Sequence, residues 1–333
     1  MSDRTVLIAS PYAADASRGN SVSARRIQGI LAELDYRPEH VEGVAGVERE
    51  GSLMIALHAR KSAPAIRAYR ASFPNRPLIV LLTGSDLYVD LFEEGEFREL
   101  TLESMRQADR LVVCQERSLD DIPRDYRDKS RVVTKSVDMT LPKWEFTVDQ
   151  DPFRVIIASH LRPVKDPLLI AKAVEQLPAD SRLQVTHYGN AELASLGQEA
   201  EEASSRLGDR YHWKGQVNRE VVMESLATAH LALNTSRVEG GANALCEPLV
   251  MGMPCVATSI PANEGMLGLG HPGLFPVGDA NALAEILWRA ESDAVFYQSL
   301  IHASQDRGPL FTRQAERESW GALLAELLES RGD

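Results

Sequence analysis

The chain has 333 residues, with 36 Lys and Arg against 48 Asp and Glu, for a formal net charge of −12. That length exceeds the roughly 250–300 residues one hydrophobic core supports, so two domains are expected. A hydrophobic fraction of 44% excludes a disordered chain. The acidic balance excludes a nucleic-acid binder held by broad phosphate electrostatics. Anionic small ligands stay open, because they need only a local cluster of cations.

In chain order, short apolar runs alternate with amphipathic stretches of helical length, the pattern of a parallel sheet flanked by helices. The run 5–10 predicts a buried strand. A Gly- and Ser-bearing loop follows, then a helix over 23–34 with Ile27, Ile30, Leu31 and Leu34 at helical spacing. Strands are expected at 52–57, 77–82, 111–114 and 131–135. Residues 141–152 carry prolines and mixed charge without a period, and read as a linker. A second series follows: strand 154–159, helix 167–177, strand 183–188 with the turn Gly189-Asn190, and a polar helix over 191–207. Strand 211–215, helix 219–228, strand 231–235, helix 242–251 and strand 254–259 come next. A helix capped by Asp279 then runs through Leu283, Ile286 and Leu287, and a last helix spans 312–328.

The apolar run Val6–Ala9 is too short for a signal-peptide core. Nothing approaches the roughly 18–20 apolar residues of a membrane span. The three cysteines, Cys114, Cys246 and Cys255, have no C-x-x-C spacing, so neither a disulfide framework nor a zinc site is indicated. The expectation is a cytoplasmic protein with no membrane and no nucleic-acid partner.

Two open α/β domains joined by one linker predict a ligand cleft, with polar clusters following the carboxyl ends of the strands. The most informative cluster is Glu239-Gly240-Gly241-Ala242-Asn243-Ala244-Leu245-Cys246-Glu247, which follows one strand and opens a helix. The glycines permit close backbone approach or positive φ. Free amides at the helix start favour a diphosphate, and a carboxylate on either side accepts sugar hydroxyls. One reading is a nucleotide-sugar site: Glu239 on the sugar, Ala242, Asn243, Ala244 and Leu245 on the phosphates, Glu247 on the ribose. The other is a glycine-rich turn with two surface acids.

In the first half, His58, Arg60 and Lys61 crowd together after strand 52–57, which suits a compact phosphate-like anion. A basic helix start is the alternative, although cations there oppose the helix dipole. Arg25 and Arg26 open the first helix after Gly19-Asn20, and the residues alone do not choose which faces the cleft. Thr83-Gly84-Ser85-Asp86 ends a strand. It fits either an anion-binding turn or an ordinary turn with Asp86 as helix cap. His187 and His212 lie in or beside strands and read as core histidines. No G-x-G-x-x-G follows a strand, which excludes a dinucleotide oxidoreductase.

The E-x7-E segment, with Gly252-Met253-Pro254-Cys255-Val256-Ala257-Thr258 after it, resembles the donor-binding domain of GT-B glycosyltransferases of the family-4 type. Five motifs, one of them the start of that segment, resemble one subgroup, the selenosugar synthases of selenoneine biosynthesis. They are Gly19-Asn20 with Ala24-Arg25-Arg26, Ala56-Leu57-His58-Ala59-Arg60-Lys61-Ser62-Ala63, Leu82-Thr83-Gly84-Ser85-Asp86-Leu87-Tyr88, His160-Leu161-Arg162 with Lys165-Asp166-Pro167, and Glu239-Gly240-Gly241-Ala242-Asn243.

The resemblance implies an α/β, GT-B fold: two Rossmann-like domains facing each other across a cleft. Residues 1–145 would bind the acceptor and 150–312 the nucleotide sugar, with a final helix at 313–333 packing back on the first domain. It implies transfer from a UDP-sugar, such as UDP-N-acetylglucosamine, to selenophosphate, forming a carbon–selenium bond without cofactor or metal. Arg162 and Lys165 would hold the diphosphate, although His160 stands where the family usually has an Arg. Asn263 and Gly265 would lie in a donor loop. Gly19, Asn20, Arg25, His58, Arg60, Lys61, Thr83, Gly84 and Ser85 would bind the acceptor, with His58, Arg60, Lys61 and Asp86 nearest the chemistry. Two alternatives remain: a conventional glycosyltransferase acting on a hydroxyl acceptor, and a non-catalytic sugar-binding protein.

Overall fold

A computed structural model of the chain describes residues 4–11, 19–49, 51–137, 140–145 and 152–329. The chain divides into two units, Met1–Asp138 with Arg313–Asp333, and Met139–Thr312.

The first unit alternates strand and helix: β1 (Thr5–Ser10), α1 (Gly19–Glu33), β2 (Arg37–Glu42), β3 (Leu53–Leu57), α2 (Ala63–Ser72), β4 (Leu78–Leu81), α3 (Glu96–Gln107), β5 (Arg110–Val113), the short α4 (Ser118–Asp121) and β6 (Ser130–Val132). The strands form one parallel sheet in the order β2-β1-β3-β4-β5-β6. Every residue of β1 and β3 is buried, because helices cover both sheet faces; this is why these strands read as apolar runs. The sequence reading passes over β2. Its Arg-Pro-Glu-His-Val-Glu carries almost no apolar signal and is held at the sheet edge by backbone pairing with β1.

The second unit holds β7 (Phe153–Ala158), α5 (Leu169–Val174), β8 (Leu183–Tyr188), α6 (Ala194–Leu207), β9 (Tyr211–Gly215), α7 (Arg219–Ala227), β10 (Leu231–Asn234), α8 (Asn243–Met251), β11 (Cys255–Thr258), α9 (Pro261–Leu267), β12 (Leu274–Phe275), α10 (Ala280–Ser292) and α11 (Ala294–Arg307). Its sheet is also parallel, in the order β12-β11-β10-β7-β8-β9. Asp279 caps α10 as expected, accepting from the amides of Asn281 and Ala282. Residues 146–151 of the expected linker lie outside the described residues. Trp144 and Glu145 are bound to the second unit, through Trp144 Nε1 to Ala229 O and Glu145 N to Ala227 O.

The last helix, α12 (Arg313–Glu329), packs on α1 in the first unit. Trp320, Leu323, Leu324 and Leu327 join Ile27, Ile30 and Leu31 in one buried cluster. Glu316, 1% exposed, accepts from Arg26 Nε at 2.9 Å and from the Ser136 amide at 2.7 Å. Among the described residues, no helix is long and apolar enough to cross a membrane.

Each sheet reverses its strand order once, at β1/β3 in the first unit and at β7/β10 in the second. The loops leaving two parallel neighbours diverge there, opening a crevice at the carboxyl ends where ligands bind in open α/β sheets.

Candidate active site

At the reversal of the second sheet, the loops after β7 and β10 are zipped together. Thr235 Oγ1 donates to Lys165 O, the Arg237 amide to Val164 O, and Arg237 pairs with Asp166 at 2.6 Å. This brings Lys165 Nζ to 2.5 Å from Glu239 Oε1. The two side chains are 21% and 10% exposed, so both still meet solvent. Burial pushes the Glu239 carboxyl up, but the Lys165 ammonium and the Ser236 and Asn234 hydrogen bonds outweigh it and leave the pKa lowered. The Glu239 carboxylate therefore stands ionised against the Lys165 side chain at the crevice.

Beside them α8 begins, with Ala242 as its cap residue and its first amides at the carboxyl edge. Glu247, eight residues after Glu239, is 8% exposed and accepts from Arg219 Nη2 at 2.7 Å. Left-handed backbone does not fall at Gly240 or Gly241. It falls at Gly189, with φ 144°. There a Cβ would stand 2.1 Å from Ser159 O, so glycine lets the loop after β8 pass against the loop after β7. The same contact orients His160, whose Nδ1 accepts the Asn190 amide at 3.0 Å. Burial, then Arg162 and Lys165, lower its pKa, so the ring is neutral near pH 7 with its proton on Nε2. Arg162 is 46% exposed and paired with Glu192 at 2.7 Å.

Two donor-loop expectations are corrected. Residues 261–267 form helix α9, not a loop, with Pro261 in its first turn. Asn263 is 0% exposed and donates to Thr258 O and Oγ1, while Gly265 is buried and its carbonyl accepts from Arg307.

In the first unit, the loops after the neighbouring strands β3 and β4 meet. His58 is 1% exposed at φ 71°, a left-handed conformation that strains a residue with a Cβ. Its Nε2 lies 3.0 Å from Ser85 Oγ and its Nδ1 3.7 Å from Asp86 Oδ2. Burial lowers its pKa against the opposing pull of Asp86, so the ring is neutral near pH 7.

Asp86 does not stand at an open surface. It is 0% exposed. Oδ1 accepts the amides of Thr83 and Gly84 at 2.9 and 2.8 Å, and Oδ2 accepts that of Ala59 at 2.9 Å. It ties the two loops together through backbone amides and does not cap a helix. Arg60 is itself paired. Its Nε donates to buried Asp90 at 2.7 Å and its guanidinium lies 4.0 Å from the Phe97 ring centre. Lys61 and Ser85 are the exposed members of the group. Gly19 and Asn20 form the first turn of α1, at the carboxyl edge after β1; Arg25 is exposed and Arg26 is buried against α12. His187 is a core histidine, between Tyr211 OH and Ser159 O.

The sequence reading misses the partners: Asp90 for Arg60, Arg219 for Glu247, Glu192 for Arg162. It also misses Asn234 and Ser236, which hold Glu239, although the polar triplet Asn234-Thr235-Ser236 at a strand end is a visible signal. Among the described residues, no three His, Cys, Asp or Glu side chains gather as metal ligands.

The family described as glycosyl transferases group 1 matches residues 140–307. Comparison with curated proteins gave no significant match. Among solved structures, sucrose-phosphate synthase from Thermosynechococcus elongatus superposes with a TM-score of 0.82 at 16% identity, over 98% of this chain and 100% of that one. Alr3699/HepE from Anabaena, solved in complex with UDP, gives 0.76 at 17% identity over 98% and 100%. A glycosyltransferase from Rickettsia africae ESF-5 gives 0.72 at 12% identity over 100% of each chain. At these identities the likeness is one of fold, the two-domain Rossmann-like GT-B architecture. With the family match over residues 140–307, this chain belongs to the glycosyl transferases group 1 family.

Proposed function

We propose that this chain transfers a sugar from a UDP-sugar to selenophosphate, forming the carbon–selenium bond of a selenosugar in selenoneine biosynthesis. The donor half rests on the Lys165–Glu239 pair at the strand-order reversal beside the start of α8. Lys165 and Arg162 meet the diphosphate, joined by the amides at Ala242–Leu245. Glu239 accepts a sugar hydroxyl, and Glu247, held by Arg219, accepts the ribose. UDP and UDP-glucose in the HepE structures support a uridine nucleotide as ligand. In the reaction the anomeric carbon–oxygen bond breaks, the electron pair leaves with UDP, and selenium forms the new bond to that carbon. Charge grows on the departing diphosphate, where preorganised cations and amides lower the barrier most.

The acceptor half rests on the N-terminal motifs that resemble selenosugar synthases. It is supported by exposed Lys61 and Ser85 beside neutral His58, a small polar patch suited to an oxyanion. Thr83, Gly84, Gly19, Asn20 and Arg25 complete the acceptor side of the proposal. A selenium nucleophile needs little help from a base.

A second reading has its own observation. Exposed Ser85 lies 3.0 Å from His58 Nε2, a contact through which a hydroxyl acceptor would pass its proton to the ring. The test is mass spectrometry of the full chain incubated with UDP-N-acetylglucosamine and selenophosphate. A product with the selenium isotope pattern, formed together with UDP, is expected. UDP release only when a hydroxyl acceptor is added would establish the second reading.

A further inference from the structure

The donors around Glu239 are not shared between its two oxygens. Oε1 takes Lys165 Nζ at 2.5 Å, Ser236 Oγ at 2.7 Å and, more weakly, Asn234 Nδ2 at 3.4 Å. Oε2 takes no hydrogen bond among the described residues. An ammonium is a compact charge with no preference between carboxylate oxygens, so Lys165 alone cannot produce this asymmetry. Ser236 and Asn234 produce it, since both approach Oε1 from the end of β10.

Their own orientation is set in turn. The Ser236 amide donates to Asn234 Oδ1 at 3.0 Å, which fixes the Asn234 amide with its NH2 toward Glu239. Thr258 Oγ1 donates to Ser236 O at 2.5 Å. Asn263 donates to Thr258 O at 3.0 Å and to Thr258 Oγ1 at 3.1 Å, from α9. Asn234, Ser236, Thr258 and Asn263 are each at most 3% exposed. The Asn263 Oδ1 atom is buried without a partner. An unpaired buried acceptor costs stability, so stability alone is a poor reason for this network.

We propose that Asn234 and Ser236, braced by Thr258 and Asn263, are positioning residues that turn Glu239 so that Oε2 alone is offered to the donor sugar. This rests on the reading of Glu239 as the carboxylate that holds that sugar. Without the Ser236 hydroxyl, the carboxylate swings and both oxygens close on Lys165, taking Oε2 from the sugar hydroxyl. Asn263 then acts on the donor through Thr258 and Ser236, and through its weaker 3.4 Å hydrogen bond to Asn234 Oδ1, rather than by touching it.

Isothermal titration of the full chain with UDP and with UDP-N-acetylglucosamine tests this, because only the second carries the sugar. Ser236→Ala should weaken UDP-N-acetylglucosamine about tenfold, the size of one lost hydrogen bond to a charged group, while UDP stays within about twofold. In a Glu239→Gln background, adding Ser236→Ala should change neither affinity further. Thr258→Val should weaken the sugar nucleotide selectively, and Thr258→Ser, which keeps the hydroxyl, should restore it. Equal loss of both ligands in Ser236→Ala, or an undiminished effect in the Glu239→Gln background, overturns the proposal. If Glu239→Gln leaves the ratio of the two affinities unchanged, the reading of Glu239 fails, and the proposal with it. If Glu239→Gln changes the ratio and neither Ser236→Ala nor Thr258→Val does, the positioning role alone fails.

Discussion

The strand-end loops of the two units use charge in opposite ways. In the second unit, Lys165 and Glu239 pair at the crevice while both remain partly exposed, and one carboxylate oxygen is left open. In the first unit the two acids beside His58 are spent inside. Asp86 is consumed by the amides of Ala59, Thr83 and Gly84, and Asp90 by Arg60. Around His58 the exposed groups are Ser85 and Lys61, and His58 itself is neutral. A nucleotide sugar presents both anionic phosphates and neutral hydroxyls, and a cation–carboxylate pair answers both. A compact anion needs no carboxylate at the surface, and one there would repel it. The two clusters thus differ in whether a carboxylate stays at the surface.

The largest expected effect comes from closing the loop approach in the second unit. Gly189→Ala would put a Cβ 2.1 Å from Ser159 O at a φ of 144°. Strain and overpacking together should cost about 4 kcal/mol. Thermal unfolding should show it, and UDP affinity should fall as the loop bearing Lys165 moves. A variant of native stability and affinity would break the account of that crevice.

Asp86→Asn comes next. It places an NH2 where backbone amides now donate, leaving buried N–H groups unpaired at about 1–3 kcal/mol each. Denaturant unfolding should register that loss. Should stability stay native while turnover drops more than a hundredfold, Asp86 would be a reacting group and the contrast between the units would collapse.

Acid should weaken the second unit in a way that can be traced. His187, His230 and His271 all lie there, and burial holds each imidazole down to about 4. Each pKa is lower in the folded than in the unfolded chain, so the unfolded state binds more protons in between. Their contribution is complete above pH ~6.5 and is lost as pH falls toward about 4, by up to about 1.36 kcal/mol per pH unit for each group. Urea titrations between pH 7 and 4.5 should show the slope, and His187→Gln should reduce it by about one proton. An unchanged slope would remove His187 from the account.

The smallest effect on stability belongs to Arg162→Ala. Its pair with Glu192 is 46% and 57% exposed, so its loss should cost no more than about 0.5 kcal/mol. A several-fold loss of UDP affinity at native stability would mark a diphosphate contact; an unchanged affinity would remove Arg162 from the diphosphate.

Much of this was legible in the residues. Parallel strands covered on both faces must be apolar throughout, so β1, β3, β4, β7 and β10 stand out, and the polar groups that follow them fall at the carboxyl edges. β2 does not stand out, because backbone pairing at an edge needs no apolar side chain. α9 was hidden by Gly265, which reads as a turn but is buried inside the helix. α11 was passed over although Asp293 caps it as Asp279 caps α10. Within the site, the charged residues themselves were visible and their commitments were not. Arg60 finds Asp90 thirty residues away, and Asp86 gathers amides from two loops, through packing that no local pattern encodes.

The helix α12 has a consequence for the order of synthesis. The first unit's sheet leaves the ribosome early, but Trp320, Leu323, Leu324 and Leu327 complete its core only after the whole second unit has been made. Until then Ile27, Ile30 and Leu31 lack their cover, and Arg26 lacks Glu316. Domains made first usually fold first. Here the first to emerge is the last to be finished, so a nascent chain must carry an open apolar seam through the folding of its own second half.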